Sequence, residues 1–485
     1  MNGALMKATS RFAIAAAAGL FVGGMAMPSA KAADLGGNCC ADLEERVAEL
    51  EATTARKGNR KVSLVISGQV NRAVAFWDDG YKTDVYSVDS GVSRSAFQFD
   101  GSARINADVT AGYQFVWVLG LGARGHHVNQ LDDDGNTAAN FGTAVDAGAI
   151  SADSIPAIEI ANWYLDSKHW GKLTVGRINT AQTATTQTDL GGILVIGGPQ
   201  MGLWNNSYYA RQSGGNLAAA PSATTPLTPT GLTWNTMMGG AQVTIAGTSR
   251  ADGVRYDTPT WAGFSASVAW AEDDFWDVAA RYAGEFSGFR VAGTISYSQN
   301  RDAEADTSSS AATGLTSISP DIRKWQGSAS ILHVASGLFL DGAYLVQSYN
   351  GLTAAELYGG TVAGGNRPDT KYWYIAGGIA QNWTGLGKTV FYGEYGNIED
   401  GATGLALTST AGLTITGVTG GAALTGTVTS SEVNFWGLGV VQNIDAAAME
   451  LYAAYRNYSA DIVVGTTDAR VEDFSMVMTG ARIKF

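Results

Sequence analysis

Phe289-Arg290-Val291-Ala292-Gly293-Thr294-Ile295-Ser296-Tyr297 alternates with a period of two. Phe289, Val291, Ile295 and Tyr297 fall in one set, and Arg290, Ala292, Thr294 and Ser296 in the other. Successive side chains of a strand point to opposite faces, so the stretch reads as a β-strand with one bulky apolar face and one small polar face. The pattern recurs widely. Phe264, Ala266, Val268 and Trp270 alternate with Ser265, Ser267 and Ala269. Phe97, Phe99, Gly101, Ala103 and Ile105 alternate with Gln98, Asp100, Ser102, Arg104 and Asn106. Val477, Thr479, Ala481, Ile483 and Phe485 alternate with Met478, Gly480, Arg482 and Lys484. Such a sheet suits oil on one side and water on the other.

Working outward, sixteen strands are expected, at about 62–77, 94–107, 111–125, 158–167, 171–178, 251–258, 262–271, 276–286, 289–300, 324–333, 337–349, 371–382, 388–399, 431–443, 448–461 and 473–485. Connections alternate between turns of a few residues and long loops, the longest at about 179–250; the short link through Asp273-Asp274 is the exception. That rhythm predicts an all-β transmembrane fold, an antiparallel up-and-down outer-membrane barrel with both termini on the periplasmic, short-turn side. Closure follows because lipid cannot satisfy a free sheet edge. Trp170, Trp261 and Trp383 lie at short turns, and Trp77, Trp270, Trp276, Trp325 and Trp373 toward long loops, as interfacial girdles would. Two strands alternate poorly: Arg72 shares a phase with Val70 and Val74, and Asn162 and Asp166 share one with Ile160 and Tyr164. These faces are expected to touch protein, for example at a subunit interface.

Residues 1–32 read as a secretory signal: Lys7 and Arg11 precede the apolar stretch 12–27, and Ala30-Lys31-Ala32 fits a cleavage site. Residues 33–60 are expected to be a periplasmic helical segment and linker, and 61–485 the barrel. Leu43, Val47 and Leu50 form a short helical seam among Glu44, Glu45, Arg46, Glu49 and Glu51, too brief to be a coiled coil alone. Cys39 and Cys40 are adjacent and lack a zinc-type His pair.

The formal net charge is −13, which argues against a nucleic-acid partner. Two cysteines exclude a disulfide scaffold, and 45% hydrophobic residues exclude disorder. Enzyme readings fare poorly. Gly387-Lys388-Thr389 ends like a phosphate loop, but Asn382 stands where the first glycine belongs. There is no nucleophile elbow and no zinc-protease motif, and adjacent His126-His127 lack ligand spacing. No catalytic residue, cofactor or metal is expected.

The chain resembles the general porins of alphaproteobacteria. The likeness runs from Cys39-Cys40-Ala41-Asp42-Leu43-Glu44-Glu45-Arg46 through Val65-Ile66-Ser67-Gly68-Gln69-Val70-Asn71, Gly171-Lys172-Leu173-Thr174-Val175-Gly176-Arg177 and Val254-Arg255-Tyr256-Asp257-Thr258-Pro259 to Phe485. It implies a homotrimer of sixteen-stranded channels for passive diffusion of small hydrophilic solutes. It also implies that loop 179–250 folds into the barrel, that Phe485, Ile483 and Ala481 are read by the outer-membrane assembly machinery, and that Ala33 and Asp34 are candidates for attachment to peptidoglycan. Lipid and lipopolysaccharide are the expected surroundings, and Asp132-Asp133-Asp134 belongs to an external loop. A solute-specific channel and a peptidoglycan tether are the alternatives.

Strand phase places Arg104, Arg124, Arg255, Arg281, Arg290, Arg456 and Arg482 on the polar, water-lining set. Asp189 is the only acid between Asn179 and Arg250. The expected constriction groups Arg104, Arg255 and Arg281 with Asp189, although one acid cannot make the steep transverse field of an acidic loop.

Overall fold

The computed structural model describes residues 62–91, 93–118, 128–130, 157–213, 215–220, 230–238, 250–272, 274–301, 321–350, 368–407 and 426–485. The signal, the helical seam with Leu43, Val47 and Leu50, the cysteines, Ala33, Asp34, Arg124, His126-His127 and Asp132 to Asp134 lie outside the described residues.

Sixteen strands make the wall: β1 Val65–Asp78, β2 Ala96–Arg104, β3 Val109–Val118, β4 Ala157–Ser167, β5 Gly171–Asn179, β6 Arg250–Asp257, β7 Phe264–Ala271 and β8 Phe275–Phe286. The second half is β9 Phe289–Asn300, β10 Asp321–His333, β11 Leu338–Asn350, β12 Thr370–Gln381, β13 Thr389–Glu399, β14 Gly426–Ile444, β15 Met449–Val464 and β16 Phe474–Lys484. Each pairs antiparallel with its neighbour in sequence. Gln69 to Asp78 of β1 then pairs with Ser475 to Lys484 of β16, which closes the barrel.

Turn chemistry fits the positions. Ser287 and Gly288 link β8 and β9 with φ of 50° and 81°, the paired positive angles of a tight hairpin. Between β2 and β3 the Asn106 carboxamide oxygen accepts from Asp108 N at 2.8 Å and Val109 N at 2.9 Å.

The sequence pattern pairs strands 1 and 2 directly along their length, and here the structure differs. Only Val65 to Gln69 pairs with β2, while Arg72 to Asp78 pairs with a short extra strand, Thr83–Asp89. Asp78 Oδ1 accepts from Gly80 N and Asp79 Oδ1 from Lys82 N, each at 2.8 Å, and Gly80 takes φ +86°. This polar turn folds the chain back before the wall continues, a local choice that alternation cannot reveal.

The outer face is apolar and open. Trp270, Val268, Leu340, Leu438 and Ile375 are all exposed there. The partners one residue along, Ala269, Ala271, Asp341 and Ala376, point inward and are buried. On β4, Trp163 and Leu165 share the outer phase with Val254 and Tyr256 of β6 through β5. Asn162, Tyr164 and Asp166 therefore face the interior, which accounts for the poor alternation without a protein contact. Arg72 does lie on the outer phase, opposite Ala481 and next to Val70 and Val74.

Candidate functional site

The interior is filled from one side. Asn179 ends β5, and the chain then crosses the space inside the barrel. Asp277 of β8 accepts from Ala181 N at 3.0 Å and Gln182 N at 2.8 Å. Arg255 Nη1 donates to the carbonyls of Asn179 and Thr180 at 3.0 and 3.1 Å. Arg281 Nη2 donates to Ala181 O at 2.5 Å. The segment next follows β9 and β10. Thr188 N and Leu190 N each donate at 3.0 Å, to the hydroxyls of Ser328 and Ser330. These small hydroxyl residues on the inner phase let the loop backbone approach the wall while giving its N–H groups acceptors.

Farther round, the loop meets a buried ion pair. Arg456 Nε lies 2.6 Å from Glu394 Oε1, and both side chains have no exposed surface. Glu394 Oε2 accepts from Gly198 N at 3.0 Å and from Tyr374 OH at 2.9 Å. Arg456 donates to Gly198 O at 2.8 Å and Gln200 O at 3.1 Å, and stacks over Trp204 at 5.1 Å. The pair is thus satisfied by loop backbone, the condition under which buried charge is tolerated. Tyr458 OH donates to Met201 O at 2.8 Å. At the turn just after β1, Arg211 Nη2 lies 2.5 Å from Asp79 Oδ2.

Around these anchors the loop supplies Ile193, Val195, Ile196, Met201, Trp204, Tyr208 and Trp234 to one apolar cluster with Trp77, Tyr372, Tyr392, Phe435, Tyr458 and Phe474 of the wall. Burial holds the Tyr208 phenol well above its ordinary range, so it stays neutral. Gly439 belongs to this packing: a Cβ there would sit 2.4 Å from the Tyr392 ring. The interior along β10 to β16 is therefore a core.

The inner phase of β2 to β4 is different. Gln98, Asp100, Ser102, Gln114, Asn162, Tyr164 and Asp166 remain partly or largely exposed. This polar strip, unoccupied by the described part of the loop, can border water.

The grouping expected from sequence is not what the structure brings together. Arg104 sits at its own turn, donating to Asn106 O at 2.9 Å. Arg290 pairs with Glu285 at 2.8 Å beside the Ser287-Gly288 turn. Arg482 pairs with Glu450 at 2.5 Å. Arg255 and Arg281 secure the loop root, and Arg456 its far arm, so their guanidinium groups are spent on backbone and carboxylates. Asp189 accepts from Gly192 N and Ile193 N at 2.7 Å and Leu194 N at 3.0 Å, shaping its own turn. It lines a small space with Asp341 of β11, not with an arginine. Phe485 exchanges backbone bonds with Gly68 at 3.0 and 2.9 Å and packs on Phe97, so it seals the seam. Ile483 and Ala481 lie opposite Val70 and Arg72 on the outer phase.

Sequence reasoning missed Asp277, Glu394 and the Arg211–Asp79 pair. The available signal was acids on the inward phase of strands, Glu394 between Gly393 and Tyr395 among them, but phase does not say which inward acid meets the loop.

No family model matches the chain, and no curated protein is similar to it in sequence. Solved structures do resemble it. The anion-selective porin from Comamonas acidovorans is 14% identical, with 87% of this chain and 100% of that chain covered and a TM-score of 0.50. The likeness carries the fold alone. The outer-membrane expressed OmpT of Vibrio cholerae is 12% identical over 88% and 99%, with a TM-score of 0.46. Salmonella typhi OmpF in complex with daunomycin is 15% identical over 88% and 98%, with a TM-score of 0.44. This chain is thus a closed sixteen-stranded antiparallel β-barrel of the architecture found in a bacterial porin.

Proposed function

We propose that the protein is an outer-membrane channel through which small hydrophilic solutes diffuse passively. The observation that carries this reading is the one-sided filling of the barrel. An apolar exterior suits lipid, the loop packs one half of the interior, and the polar strip on β2 to β4 is left to hold water. No bond is made or broken. The loop narrows the bore and sets the size limit, while polar wall residues replace part of a solute's hydration.

The exposed aromatics on the short strands β2 to β5, such as Phe97, Phe115, Trp117 and Trp163, support a trimer contact on that side. Lipopolysaccharide around the rim, recognition of the last strand by the assembly machinery and an N-terminal peptidoglycan contact belong to the same reading.

Liposome swelling with sugars of graded size tests the function. Swelling that falls as the sugar grows is expected, and a sharper response to one solute would favour a solute-specific channel. Vesicles that stay sealed to every sugar and salt would refute the reading. Replacing 183–238 with a short splice should raise conductance, and unchanged conductance in a folded barrel would remove the loop from the constriction.

A further inference from the structure

On the polar side, away from the loop core, a cavity of about 440 Å³ lies among Ser67, Gln69, Arg94, Gln98, Glu159, Arg250 and Lys484. Its size falls in the range of small-molecule sites, roughly 300–1,000 Å³. Val116, Val118 and Ala96 add apolar wall.

The charges in its lining do not balance. One carboxylate, Glu159, serves two guanidinium groups: Arg94 Nη1 contacts Oε1, and Arg250 Nη2 lies 3.4 Å from Oε2. Lys484 brings a third cation and shares Glu450, at 3.5 Å, with Arg482. Each carboxylate is thus divided between two cations. Two other acids stand close by but are engaged: Asp100 accepts from Gln98 Nε2 at 2.6 Å, and Asp89 from Ser95 N at 3.2 Å.

One donor is also unspent. Each guanidinium carries five N–H groups. Arg250 Nε is buried and has no acceptor. Arg94 is held in place through its backbone, because Gln69 Nε2 donates to Arg94 O at 2.7 Å and Asn71 Nδ2 to Ser93 O at 2.8 Å. Glu159 fixes its guanidinium at the other end, so little freedom is lost when a ligand is taken up, and Arg presents its donors in a fork that matches oxyanions.

We propose that this recess is a binding site in the channel for a small solute bearing an oxyanion, a carboxylate or a phosphate. Arg94 and Arg250 grip the anionic group, Lys484 adds attraction, and the Val116–Val118 wall takes a short apolar body. Glu159 spaces the two arginines and tempers their charge so that the solute is released. The inference rests on the channel reading and names the solute class that channel would favour.

The test is planar-bilayer current of the full chain in potassium chloride, with succinate and inorganic phosphate added separately. Calorimetry of both anions on detergent-purified protein reads binding even where no current flows. Concentration-dependent block and binding are expected, succinate alone pointing to carboxylates and phosphate alone to phosphates. R250Q should weaken block and binding on the order of tenfold. E159Q should strengthen both about threefold. Opposite signs from two substitutions in one cluster are not what simple misfolding produces. R323Q, on the outer phase of β10 beside Asp321, should change neither. A conducting channel indifferent to both anions overturns the site and leaves the channel standing. Equal block of wild type, R250Q and E159Q overturns it too. Failure to conduct, with anion binding retained, overturns the channel and not the recess.

Discussion

The two halves of the barrel wall use the same alternating strand in opposite ways. On β8 to β16 the inner phase carries aromatics, small hydroxyls and one buried ion pair, and a loop lies against them. On β2 to β4 the inner phase carries Gln98, Asp100, Ser102, Gln114, Asn162 and Asp166, with enough exposure to meet solvent. The outer phase is apolar on both. Lipid therefore dictates one face everywhere, whereas the interior decides locally whether to become core or conduit.

Damage to the packed half should therefore be costly and damage to the polar half cheap. The largest effect is expected for Arg456→Ala, which strands Glu394 without its partner and should cost about 3–5 kcal/mol. The urea midpoint for unfolding from detergent would record it, together with a higher or noisier conductance as Gly198 and Gln200 lose their donor. Replacing both members, Arg456→Met with Glu394→Leu, should recover much of the stability. A midpoint unmoved by Arg456→Ala would mean that the buried pair does not hold the loop.

Val268→Arg sharpens the comparison by moving to the face both halves share. A charge on the lipid side near mid-membrane should cost about 2–4 kcal/mol. Gln114→Arg, inward on the polar side, should fold normally and shift ion selectivity toward anions, read as a reversal potential across a salt gradient. Similar destabilisation by both would erase the distinction between faces.

Asp277→Asn loosens the loop root, where the carboxylate accepts from two backbone N–H groups. A loss of about 1–3 kcal/mol is expected. The smallest effect is Arg104→Ala, within about 0.5 kcal/mol, because its exposed guanidinium caps only a turn. A large loss from Arg104→Ala would place that turn among the structural anchors.

Much of the wall was legible because lipid imposes a strict rule on every second residue. The strands, their number and the short turns follow from it, and the inward phase of Arg255, Arg281, Arg456 and Arg482 does as well. What alternation could not give was height along the barrel or partners across it. Arg104 and Arg456 look alike in phase, yet one caps a turn and the other lies fully buried beneath Gly198. Asp189, the sole loop acid, invited an electrostatic role, but three nearby N–H groups claim it first. The Thr83–Asp89 strand escaped notice because its register depends on the Asp78-Asp79-Gly80 turn. Arg94 fell within the strand expected at 94–107, on its polar phase, but was not singled out, and Arg250 lay just before the strand expected at 251–258; phase alone did not show that both reach Glu159 beside the register shift on β4.

The location of the water column can be read from thiol access. With Cys39 and Cys40 replaced by Ser, Gln114→Cys on β3 and Tyr392→Cys on β13 would each be exposed to a bulky, water-soluble thiosulfonate during single-channel recording. The account predicts a stepwise fall in current for Gln114→Cys and none for Tyr392→Cys. Modification of the β13 position with the β3 position spared, or of both at equal rates, would contradict it.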